Sequence, residues 1–134
     1  MTEHAHAAPV IIIGGGLHGS STALHLARAG VHALVLEKNY IARHASGVNA
    51  GGVRTLSRHL AEVPLSLASR EIWLKLKDWV DDDCGFDQNG QMRIAEDEAD
   101  VATLRTRLQT MHEHCYTHEE WLDADEVRAI VPAI

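Results

Sequence analysis

Cysteine is scarce in this 134-residue chain: Cys84 and Cys115 stand alone, 31 positions apart. Neither a disulfide framework nor a zinc ribbon is encoded by such a pair. Three prolines and ten glycines are too few for a collagen-like or low-complexity chain. Long apolar runs are missing too, since Val10 to Ile13 is far too short to cross a bilayer. The start has no basic segment of the secretory kind, and the first apolar run breaks at once into glycine. The expectation is a soluble protein of a reducing, cytoplasmic compartment, with no membrane span. Aromatic residues reach only 4%, but apolar residues reach 46%, enough for the core of one domain's length of chain.

Positive charge is also in short supply. The formal net charge is −7, and it is divided unevenly. Residues 1–60 hold five Lys/Arg against two Asp/Glu; residues 61–134 hold seven against seventeen. An acidic chain with no basic stripe argues against nucleic-acid binding, which draws its affinity from neutralising phosphates. The mildly basic first part is the one expected to face phosphates. The composition shift near residue 60 is the candidate seam between two partial domains, 1–60 and 61–134.

What is present begins with Val10-Ile11-Ile12-Ile13, four β-branched residues that read as a fully buried strand of a parallel sheet. Gly14-Gly15-Gly16 breaks it. Leu17, Ala23, Leu24 and Ala27 then fall at helical spacing through Arg28, with Gly30 at the helix stop. Val31 to Glu37 gives a second apolar strand that ends in a carboxylate. The order is strand, glycine turn, helix, glycine, strand: a βαβ unit. Residues 39–60 read as a long loop. Beyond it, Pro64 to Trp79 predicts an amphipathic helix ended by Asp81-Asp82-Asp83, and Gln91 to Ala95 a short strand after the Asn89-Gly90 turn. Glu96 to Glu113 predicts a helix with Val101, Leu104, Leu108 and Met111 on one face. Asp123 with Glu126 predicts a capping box on a last helix through Ile130. The fold class is α/β: a partial doubly wound, Rossmann-like sheet, followed by part of an α+β substrate domain.

Gly14-x-Gly16-x-x-Gly19 takes its meaning from its context. It follows a strand, opens a helix, and is followed 18 residues after Gly19 by Glu37 at the end of the next strand. Gly14 permits the tight turn, Gly16 lets backbone approach a pyrophosphate, and Gly19 lets helix and strand pack closely. Unpaired N–H groups at the helix start, with its positive dipole end, suit phosphate. Glu37 suits both hydroxyls of an adenosine ribose and repels a 2′-phosphate by its charge.

The pattern continues as Ala23-x-x-Leu26-Ala27-x-x-Gly30 and Val35-x-Glu37-Lys38, and then as Ser46-Gly47-Val48-Asn49-Ala50-Gly51-Gly52-Val53-Arg54. Here the chain resembles FAD-dependent flavoproteins of the D-amino-acid oxidase family, which includes glycine oxidase and sarcosine oxidase. A looser likeness runs through Trp73-Leu74, Gly90 to Ala95 and Leu122 to Val127, so it covers nearly the whole chain. The resemblance implies that Gly14, Gly15, Gly16, Leu17, His18 and Gly19 cradle the FAD pyrophosphate, with Glu37 and Lys38 at the adenosine ribose. It implies that Ser46, Gly47, Asn49, Ala50, Gly51, Gly52 and Val53 line the path to the isoalloxazine ring. Arg54 is the catalytic candidate, facing flavin and substrate carboxylate; a salt bridge to the acidic half is the alternative. Other catalytic residues are not identifiable. Some relatives hold FAD covalently through a histidine in the neighbourhood of His44, whereas non-covalent FAD is expected here.

The implied activity is oxidation of a C–N bond in an amino acid or N-methyl amino acid, with hydride transfer to flavin and an imine as product. Two strands cannot complete a doubly wound sheet, and relatives are longer. The expectation is therefore an amino-terminal portion, inactive by itself, that needs a complementing chain or the remaining C-terminal portion. An NAD-linked dehydrogenase and a non-catalytic nucleotide-binding subunit are the competing readings. His112, His114, Cys115 and His118 have metal-binding side chains, but on a helix His112 and His114 point about 200° apart, and no metal is expected. His4 and His6 fall in a tail expected to be disordered.

Overall fold

The computed structural model describes residues 8–134; the His4–His6 pair lies outside them. The chain divides into two compact units between Gly52 and Val53. The first is a strand, a helix and a strand: β1 (Val10–Ile13), α1 (Leu17–Arg28) and β2 (Ala33–Leu36). The strands pair in parallel, Val10 opposite Ala33 through Ile13 opposite Leu36, and Gly14 N–H extends the ladder to Leu36 O at 2.8 Å. A parallel pair needs a crossover, and α1 is that crossover. The helix stops where its sequence stops: Gly30 takes φ +73, its N–H bonds Ala27 O, and Val31 N–H bonds Leu26 O. That is the glycine-terminated Schellman arrangement. A four-residue helix, α2 (Ala45–Val48), follows inside the stretch expected to be loop.

β1 departs from expectation in its burial. Val10 and Ile12 are half-covered, but Ile11 is 58% and Ile13 88% exposed. The physical reason is the side-chain alternation of a strand: α1 covers one face of the pair, and among the described residues no helix covers the other.

The second unit is helical. A 3-10 turn (Leu60–Glu62) leads into α3 (Val63–Trp73), with proline in its first turn, and α4 (Leu76–Val80) follows. One continuous helix to Trp79 was expected; instead the ladder tightens to a Lys75 N–H···Ile72 O bond and restarts. Trp73 there packs on Phe86, ring centres 5.6 Å apart. α4 ends at Asp81, which adopts a left-handed conformation. Gln91–Ala95 forms no strand, correcting the expected β element, because a strand exists only as one side of a ladder and no described residues supply the other. α5 (Glu98–Glu113) turns Val101, Leu104 and Leu108 half inward and buries Met111; with Val63 it is the fully buried apolar pair of the described chain.

α6 (Ala124–Ile130) carries the predicted capping box: Asp123 Oδ1 accepts from Glu126 N–H at 3.0 Å, and Glu126 Oε2 accepts from Asp123 N–H at 2.8 Å. Asp123→Ala is expected to lower stability by about 1 kcal/mol, read from urea unfolding followed by circular dichroism. A loss within error of zero would show that the last helix is not part of the cooperative unit.

Candidate functional site

The turn between β1 and α1 is built by backbone approach. Gly14 has φ +103, closed to side chains other than glycine's. At Gly19 a Cβ would overlap the Gly14 carbonyl oxygen and press on Ile12 Cγ2. At Gly15 it would meet Ile41, whose side chain lies over the turn. These are the close packings that the glycine spacing implies.

Three further groups fix the turn. Glu37, from the end of β2, reaches back: Oε2 accepts from Gly15 N–H at 2.9 Å and Oε1 from Asn39 N–H at 3.0 Å. These bonds, Gly15's first, hold the Glu37 carboxyl below the ordinary carboxylate range, and His44 adds a smaller electrostatic contribution in the same direction. Ser46 Oγ accepts from Leu17 N–H at 2.8 Å, capping α1 from a position 29 residues away. Ala42 N–H donates to Gly15 O at 3.0 Å. Sequence reasoning missed the Ser46 and Ala42 contacts, because no local signal ties a loop hydroxyl or a left-handed Ala42 to a helix start so distant in the chain.

After those bonds, the N–H groups of Gly16, His18 and Gly19 keep no partner among the described residues. They belong to the positive end of one helix. Phosphate oxygens are acceptors without hydrogens to place, and this is a cluster of donors without acceptors. A carboxylate has about four acceptor positions, so Glu37 has capacity left for hydroxyl donors beyond the two backbone N–H groups it already serves. The residues present therefore fit a dinucleotide.

The remaining candidates are distributed differently. Gly47 lies against Ala42, where a Cβ would overlap the Ala42 carbonyl oxygen. Asn49 organises its own loop: its amide donates to Ser46 O and its Oδ1 accepts from Gly51 N–H at 2.6 Å. Lys38, Ala50, Gly51 and Gly52 are exposed. Val53 and Arg54 belong to the second unit; Arg54 is exposed, and its carbonyl accepts from Arg58 Nε at 3.3 Å. Among the described residues Arg54 makes no ion pair, so the alternative salt bridge does not form. No three His, Cys, Asp or Glu side chains among the described residues converge on a metal position, and no helix there is long and apolar enough to cross a membrane.

The second unit contains a polar cluster that sequence reasoning did not single out. Glu119, only 8% exposed, takes two bonds from the Arg107 guanidinium, at 2.8 and 2.6 Å. It also accepts from Ser57 N–H at 3.0 Å. Burial pushes its carboxyl up, but the Arg107 and Ser57 bonds, with the charge of Arg107 and a contribution from His118, more than offset that and leave it below the ordinary range. Both Glu37 and Glu119 thus stabilise the folded chain fully above the unfolded glutamate value of about 4.3. That contribution is lost as pH falls through their lower folded-state values. The expected result is stability flat between about pH 5 and 7 and falling below about pH 4, with a shallower acid fall in Glu119→Gln, measured by urea unfolding at each pH.

A family model described as FAD dependent oxidoreductase (DAO) matches residues 9–134. Sarcosine oxidase subunit beta of Arthrobacter sp is 29% identical over 127 residues, covering 93% of this chain and 31% of that protein. Glycine oxidase of Bacillus licheniformis is 31% identical over 132 residues, covering 91% of this chain and 33% of that one. Among solved structures, L-amino acid deaminase from Proteus vulgaris, with its specific insertion sequence deleted, superposes with a TM-score of 0.82 at 21% identity. That match covers 95% of this chain and 35% of the deaminase. The chain thus spans about a third of the length of the proteins it matches.

Proposed function

The chain belongs to the FAD-dependent oxidoreductase family, and from that premise we propose that it binds the ADP half of FAD within a protein that oxidises a C–N bond of an amino acid or N-methyl amino acid. The observation that carries the reading is the set of unpartnered N–H groups at Gly16, His18 and Gly19, beside a Glu37 pinned to the same turn. In this reading the three N–H groups bind the pyrophosphate. Glu37 accepts from the adenosine ribose, and its charge excludes a 2′-phosphate. Lys38 flanks the ribose. Ser46 holds the helix start in register, with its hydroxyl hydrogen free to donate outward. The loop through Gly47, Asn49, Ala50, Gly51, Gly52 and Val53 runs toward the ring, and the exposed Arg54 guanidinium orients a substrate carboxylate. FAD, when bound, supplies the hydride acceptor; the protein supplies position and electrostatics.

The same reading assigns residues 1–60 to the cofactor-binding part and 61–134 to the substrate part, supported by the phosphate turn in the first and the helical composition of the second. The family match leaves no ground for the NAD-linked alternative. The relatives named are amine and amino-acid enzymes, which supports a small amine or amino-acid substrate. One of them is named as a subunit, which supports a complementing chain as partner. A reducing, cytoplasmic setting is supported by two exposed free cysteines.

The test is a titration of the purified protein with FAD, with ADP as competitor, followed by anaerobic addition of small amines and amino acids. ADP displacing FAD, with Glu37→Ala weakening both by roughly ten- to a hundredfold, is the expected result. Nucleotide binding indifferent to Glu37 would overturn the site. A bound flavin that no amine or amino acid bleaches would overturn the substrate class.

A further inference from the structure

The second unit ties a residue of that reading to a buried charge. Ser57 sits three positions after Arg54 and has φ +58, a left-handed conformation that a side-chain-bearing residue keeps only when something holds it there. What holds it is the Glu119 carboxylate, 62 residues on in sequence, accepting from its N–H. Glu119 is itself gripped side-on by Arg107 in α5, whose Nε and Nη2 engage both carboxylate oxygens. His118, its side chain 9% exposed, places Nε2 3.7 Å from the same carboxylate. A carboxylate is not placed in such a position at no cost, and among the described residues the backbone N–H it serves is that of Ser57, in the chain that follows Arg54. The same short stretch closes on itself through the Arg58 Nε–Arg54 O bond.

We infer that Glu119 is a positioning residue: clamped by Arg107, it fixes the backbone at Ser57 and so sets how the segment Arg54–Arg58 presents the Arg54 guanidinium. The role given to Arg54 rests on the proposed function; the clamp does not. Arg107 is correspondingly the residue that keeps Glu119 ionised, and its absence should act on Ser57 through Glu119.

The experiment uses the full chain labelled with nitrogen-15, as wild type, Glu119→Ala and Glu119→Gln, read residue by residue by NMR. In wild type the Ser57 amide proton should shift as Glu119 titrates, with a midpoint below about 4.3, and should be protected from hydrogen exchange. Glu119→Ala should raise Ser57 exchange at least roughly tenfold and move the Arg54 backbone resonance, with α1 unchanged. Glu119→Gln keeps a carbonyl oxygen in place, so it should restore much of the protection and the Arg54 resonance, without the pH dependence. Unchanged Ser57 exchange in Glu119→Ala overturns the clamp, and a changed Ser57 with an unmoved Arg54 overturns the positioning. Should Glu119→Ala fail to fold, the wild-type titration decides: a Ser57 amide indifferent to acid overturns the inference. FAD affinity is measured on the same samples. Failure of wild type to bind FAD refutes the function proposed above and leaves the clamp decided by the amide data.

Discussion

Gly19→Val is expected to abolish nucleotide binding and to unfold the strand–helix–strand unit. Even Gly19→Ala should cost about 3 kcal/mol, at the upper end of overpacking changes. The reason is what the added carbon would meet. At Gly15 and Gly16 the added carbon would meet a side chain, Ile41 or Ser46, that can rotate away, and at most other glycines it would meet nothing within 4 Å. At Gly19 the obstacle is the Gly14 carbonyl oxygen, with Ile12 Cγ2 3.3 Å away behind it. Gly14 is bonded through its N–H to Leu36 O and held at φ +103, so it has nowhere to retreat without opening the sheet. A small domain has only about 5–15 kcal/mol of stability in total. The check is a pair of measurements, urea unfolding and ADP titration, on Gly19→Ala beside Gly52→Ala, whose added carbon meets nothing within 4 Å. Equal behaviour of the two variants would mean that the helix start is not packed as described.

Arg107→Met carries the second large effect, an expected loss of about 3–5 kcal/mol. Removing the guanidinium leaves the Glu119 carboxylate buried with the Ser57 N–H and a histidine for company. An uncompensated buried charge costs more than the ion pair contributed. The double variant Arg107→Met/Glu119→Met, which removes both charges, should recover much of the loss in urea unfolding. A double variant as unstable as the sum of the single losses would show that burial of charge is not the source.

The elements that were legible in the sequence are those whose cause is local. The glycine triplet, the Gly30 stop, the apolar face of α5 and the Asp123–Glu126 box are each written within a few neighbouring residues, and each appears where its pattern lies. Glu37 was legible as the end of β2, but its grip on Gly15 was not, since a bond across 22 residues depends on the parallel register that brings the strand ends together. Ser46 illustrates the same limit more strongly. The resemblance implied a place for it on the path toward a ring, and its hydroxyl also caps α1, which no local signal foretold. The missing strand at Gln91–Ala95 failed for another reason: alternation specifies a face to bury, and a ladder needs a second strand to bury it with. Arg107 and Glu119 gave no signal, because an ion pair between a helix and a distant loop has no spacing rule.

The uncovered face of the β1–β2 pair has a colloidal consequence. Ile11, Ile13 and Leu36 form a strip of exposed aliphatic surface on two strands that, among the described residues, each have one neighbour and therefore one open ladder. Neither strand has the charges, prolines or bulges by which natural edges refuse a newcomer. Crowding the chain should therefore join copies strand to strand, so that the concentration at which it is stored, rather than its temperature, sets how long it stays dispersed.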